Sequence, residues 1–125
     1  MLYAVLCYDS EAEVSAWSKE YDARVMADLS GVVEKYAAMG KVGPVARLMP
    51  TTAATTVRKN LAEAVVIDGP FAETKEQFLG IFLIDMETLD EALEFARELT
   101  VANPGVGAYE IRPLQYFTPG AALNE

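Results

Sequence analysis

Histidine is absent from all 125 residues and cysteine occurs once. The first absence excludes Ser-His-Asp, Cys-His and His-Asp catalysis and every histidine-based metal site. The second excludes an intrachain disulfide and a Cys-x-x-Cys site. Cys7 lies inside an apolar run, where a buried inert thiol is expected, because a reactive thiol requires an electropositive and accessible setting. Cations are scarce too: ten Lys and Arg stand against nineteen Asp and Glu, for a net charge of −9. Phosphate-backbone binding needs clustered Lys and Arg, so neither nucleic acid nor an anionic membrane surface is an expected partner. No apolar run approaches the ~20 residues of a membrane span. Leu2–Cys7 is also too short, and lacks the preceding positive charge, to serve as a signal-peptide core. The chain is expected to be cytoplasmic. No acidic spacing resembles a calcium-binding loop, and no metal or cofactor is expected.

What is present is an ordinary globular balance, 52% hydrophobic and 23% charged. It suits one domain over residues 1–125, with a loose tail from about residue 115. Leu2–Tyr8 is apolar throughout and reads as a strand covered on both faces. Ser10 and Glu13 have capping-box spacing. From Val14, the positions Trp17, Tyr21, Val25, Leu29, Val32 and Tyr36 recur every three or four residues, one helical stripe facing a core. Ser18 offers a second start, so residues 11–39 are one bent helix or a short helix before a long one, and Gly40 stops it.

Lys41–Leu48 reads as a strand placed at an edge by Pro44, which lacks a ladder donor. Ala53–Arg58 and Ala64–Ile67 read as a hairpin across residues 59–63, although Asn60-Leu61 lacks the glycine usual in such a turn. Gly80–Ile84 is another fully apolar strand. Thr88 starts a helix whose expected apolar stripe is Leu89, Ala92, Leu93, Ala96 and Leu99. Thr100–Gly107 reads as loop and Ala108–Leu114 as the last strand.

This order predicts an α+β fold, a ferredoxin-like βαββαβ sheet with an inserted β-hairpin. Helices on one face cannot cover strands that are apolar on both. A second copy of the chain is the simplest cover, which predicts a homodimer built as a dimeric α/β-barrel.

The densest polar stretch is Asp68-Gly69-Pro70-Phe71-Ala72-Glu73-Thr74-Lys75-Glu76, set between two apolar runs. With Ala54–Arg58, Gly80–Asp85 and Glu110–Pro113, it resembles the YCII-related family, in the branch known for its Asp-Gly-Pro-Phe (DGPF) signature. The resemblance spans residue 1 to about 114. It implies a small bacterial-type protein with the dimeric α/β-barrel fold, and little about chemistry. The wider family has a proposed His-Asp pair, which this histidine-free chain cannot reproduce. Some relatives are encoded beside alternative sigma factors, which hints at a regulatory role.

Asp68 is the candidate catalytic residue, an acid or base if burial raises its pKa. Its structural alternative is an Asx-turn that shapes Gly69-Pro70. Glu73 and Lys75 are candidate grips on a polar ligand, or else a solvated loop pair. Arg58 and Arg112 end apolar strands and suit bidentate carboxylate binding, or else ion pairs with Glu110, Glu73 or Asp68. Tyr8 is a candidate cleft wall. Two functions follow: binding of a small polar or acidic molecule in a barrel cleft, with a regulatory role, or a cofactor-independent acid/base enzyme of isomerase or lyase type acting on a small organic acid.

Overall fold

The apolar run at the start of the chain becomes the second strand in from one edge of a sheet. The computed structural model describes residues 1–59 and 62–124. In chain order its elements are β1 (Leu2–Asp9), α1 (Glu11–Ser15), α2 (Lys19–Ala37), β2 (Val42–Arg47), β3 (Thr55–Arg58), β4 (Val65–Asp68), β5 (Gln77–Asp85), α3 (Leu89–Ala102) and β6 (Ala108–Pro113). The main sheet runs β2-β5-β1-β6, antiparallel at every pairing. Its order and connections are those of the ferredoxin-like βαββαβ arrangement. Within one chain this sheet is open, and the described residues form no closed barrel.

The helix starts follow the capping logic. Ser10 and Ser18 each accept a hydrogen bond at the start of α1 and α2, from the Glu13 and Tyr21 N–H groups. The region 11–39 is therefore a short helix and a long one. Thr88 caps α3 in the same way through the Glu91 N–H, at 3.2 Å. β2 lies at a sheet edge, as Pro44 requires, with an irregular register between Val42 and Val45.

Two expectations need correction, the start of the first hairpin strand and the phase of α3, while the inserted hairpin itself is present. Residues 51–53 form a 3₁₀ turn, so the first hairpin strand starts at Thr55 rather than Ala53. The hairpin β3–β4 is a separate two-stranded sheet, and its connection at Asn60 and Leu61 lies outside the described residues. The stripe of α3 is rotated from its expected phase: Leu89 is 52% exposed, whereas Phe95 is completely buried with Ala92, Ala96, Leu99 and Ala102. The spacing 92-95-96-99 is equally helical, and it puts the largest side chain against the sheet.

Phe95 is the centre of the core. Its ring meets Tyr36 at 5.1 Å and Phe82 at 5.8 Å, both edge-on, the geometry aromatic quadrupoles favour. Val5, Ile84, Met86 and Leu99 close around it. The same strands are apolar on their other side. Leu2, Leu6, Ile81 and Leu83 are only half-buried there, and Tyr8 packs on Phe78 with ring centres 5.7 Å apart.

Candidate functional site

Toward one end of the helix-covered face, α2 and the sheet draw apart. The last turn of β1 decides what faces the gap. Cys7 pairs with Gly80 and Tyr8 with Phe78, leaving Leu79 as an extra residue on β5, a bulge that re-aims its neighbours. Tyr8 goes to the outer face, while Cys7 and Asp9 line the gap. Gly80 supplies floor without a side chain: a Cβ there would come within 3.2 Å of the Ala46 carbonyl oxygen.

The result is a cavity of about 400 Å³. Its apolar wall is made by Val25, Met26, Leu29 and Val33 of α2 with Val45 and Phe82 of the sheet, and Trp17 stands in the link between α1 and α2. Arg47 and Glu34 stand at the lining, and the Arg47 guanidinium is tied to Asp22 by bonds of 2.8 and 3.4 Å. That guanidinium holds the Asp22 carboxyl below the usual range.

The polar end is built by Cys7, Asp9, Asn103 and Tyr109, which also line a second cavity of about 60 Å³ beneath the 103–107 loop. Gly107 brings this loop close. Its φ is +119°, and a Cβ would lie 2.6 Å from the Tyr8 carbonyl oxygen, so only glycine fits. Asn103, the residue that ends α3, donates through Nδ2 to the Tyr109 hydroxyl at 3.0 Å. Its Oδ1 is buried and has no partner among the described residues. Asp9 is 8% exposed and accepts the Ser10 N–H at 2.8 Å through Oδ1. Burial pushes the Cys7 thiol up, and the neighbouring Tyr109 hydroxyl only partly opposes this. Burial likewise raises the Tyr109 hydroxyl. Both stay protonated at neutral pH. Cys7 is thus a half-buried, unreactive thiol, with one side open to the cavity.

None of the candidate site residues, Asp68, Glu73, Lys75, Arg58, Arg112 and Tyr8, lines the 400 Å³ cavity. Asp68, Glu73, Lys75 and Arg58 are exposed on the hairpin and the loop after it. Asp68 accepts no hydrogen bond from its own turn among the described residues. Gly69 has φ +102°, and the turn is held instead by Gly69 N–H on the Ala54 carbonyl at 2.8 Å and by Thr56 Oγ1 on the Gly69 carbonyl at 2.7 Å. The far end of the loop is pinned to α1: Gln77 donates to the Thr74 carbonyl at 2.6 Å and accepts the Glu11 N–H at 2.9 Å. Arg112 is on β6, away from the hairpin, and pairs with Glu110 at 3.2 Å. Tyr8 touches only the smaller cavity.

With this geometry established, comparison with known proteins bears on ancestry. The YCII-related domain model matches residues 1–118. The chain belongs to the YCII-related family. A relative, an uncharacterised protein of Rhizobium meliloti (strain 1021), is 64% identical over 120 residues, covering 96% of this chain and 97% of the relative. Neither match names an activity. Among the described residues no helix is long and apolar enough to cross a membrane, and no cluster of His, Cys, Asp or Glu is arranged to hold a metal ion.

Proposed function

We propose that this YCII-related protein is a small-molecule-binding homodimer that holds its ligand in the cavity between α2 and the sheet, in a regulatory rather than a catalytic role. The observation that carries the reading is the cavity itself. It is a cleft open on one side, and about 400 Å³ falls within the range of ligand pockets, apolar with a few convergent polar groups. Binding is favoured over acid/base turnover because the hydroxyl and thiol beside Asp9 stay protonated and so do not serve it as proton-relay partners. The homodimer is supported by the outer sheet face, where Leu6, Ile81, Leu83 and Phe78 form an uncovered apolar patch.

Trp17 is the single tryptophan and lines the cavity, so it reports occupancy. Phenylnaphthylamine, neutral and apolar, is expected to quench its emission saturably, with one site per chain. Absence of saturable quenching rejects the ligand cavity. Light scattering is expected to give about twice the 13.6 kDa chain mass, and a monomer at micromolar concentration rejects the dimer.

A further inference from the structure

The polar end of the cavity holds two acceptors that lack matching donors. Asn103 Nδ2 donates to the Tyr109 hydroxyl at 3.0 Å. The Arg47 guanidinium, the cation among the lining residues, is held by Asp22. What remains is a pair of acceptors. Asn103 Oδ1 is buried without a partner, and the nearly buried Asp9 carboxylate takes only the Ser10 N–H among the described residues. A buried acceptor left unpaired costs about 1–3 kcal/mol, more for a charged group, so whatever supplies donors here gains that much.

We propose that the cavity takes a small primary amine with an apolar body, its ammonium lodged between the Asp9 carboxylate and Asn103 Oδ1 and its hydrocarbon against Val25, Leu29 and Phe82. The proposal rests on the reading of the cavity as a ligand site and adds the chemical class of the ligand. An ammonium offers three donors and no acceptor, the complement of these two acceptors. A carboxylate ligand would meet like charge at Asp9 and find no free guanidinium. The acidic ligand expected from the exposed arginines is therefore unsuited to this cavity. The chain's net charge of −9 adds attraction for cations at a distance.

The test is calorimetric titration at neutral pH with three ligands of one shape: cyclohexylmethylamine, cyclohexylmethanol and cyclohexanecarboxylate. The amine is expected to bind at least about tenfold more tightly than the acid, with the alcohol between. Asp9→Asn keeps an oxygen for the Ser10 N–H and should weaken the amine about tenfold while leaving the alcohol unchanged. Equal or tighter binding of the acid by the natural chain overturns the proposal, and that comparison needs no variant to fold. An Asp9→Asn chain that binds the amine unchanged also overturns it. If none of the three binds while phenylnaphthylamine still quenches Trp17, the amine is wrong and the ligand cavity stands. If the dye also fails, both fall.

Discussion

The layer between the helices and the sheet has a filled half and a hollow half, and the two are built differently. In the filled half, α3 brings small residues (Ala92, Ala96 and Ala102) close to the strands, and Phe95 plugs the space between them. Tyr36, Phe82, Ile84 and Met86 then close every side. In the hollow half, α2 presents Val25, Met26, Leu29 and Val33 to a floor where β5 carries Gly80 and β1 carries the small Cys7. No side chain of Phe95's size bridges that gap. Both halves have apolar walls, but the hollow half carries less side-chain volume between them and a polar end. A core fills only where summed side-chain volume matches the spacing of its elements.

If the filled half is packed as described, Phe95→Ala should cost about 3–5 kcal/mol of stability in a urea titration, the range of a buried aromatic truncation. A loss near that of a surface site would dissolve the contrast between the halves. Gly107→Ala should come next. The positive φ and the clash with the Tyr8 carbonyl together cost on the order of 1–3 kcal/mol, and the displaced loop should carry Asn103 out of position. Its melting temperature and its amine affinity should therefore fall together.

Tyr36→Phe should cost about 1 kcal/mol, since it removes the hydroxyl that donates to Glu98. It also has a pH signature. Burial and Glu98 push Tyr36 from its ordinary 10.0 up to about 12. A raised folded-state value means the contribution is complete below pH 10 and is lost as pH climbs toward 12. Tyr36→Phe should flatten that alkaline decline. The lowered Glu98 value, held by Lys35 and Tyr36, works in the opposite window, with stability lost as pH drops below the ordinary carboxylate range. The smallest effect belongs to the hollow half. Met26→Ala removes atoms that already face a void, so it should cost about 1 kcal/mol or less. A loss matching that of Phe95→Ala would show that the space is not open.

The filled half was largely legible from the chain, and the hollow half was not. Leu2–Tyr8 and Gly80–Ile84 are apolar at every position, and Ser10, Ser18 and Thr88 mark helix starts by local chemistry alone. The chain leaves the phase of α3 open, because Leu89 and Phe95 both fit a 3.6-residue period and only the sheet decides between them. A cavity leaves no periodic trace, since it arises from a mismatch between elements remote in sequence. Asp9 looks like a strand terminator and Asn103 like a turn residue, and each does that work as well. The signal open to sequence reading was the pair of small residues, Cys7 and Gly80, that interrupt strands of mostly larger apolar side chains. By contrast, Asp68 drew notice through its conspicuous setting, although the turn is held by Thr56 and backbone groups.

The account turns on whether the hollow half is a ligand site, and Trp17 emission during a phenylnaphthylamine titration of Val33→Phe beside the natural chain tests this most directly. Val33 lines the cavity, and a phenyl ring in its place occupies the space the dye would take. The account predicts saturable quenching in the natural chain and its loss in Val33→Phe, with the melting temperature held or raised because the new ring fills a void. Unchanged dye affinity in a folded Val33→Phe chain would contradict it, since the dye would then be bound elsewhere, the apolar outer sheet face first among the alternatives.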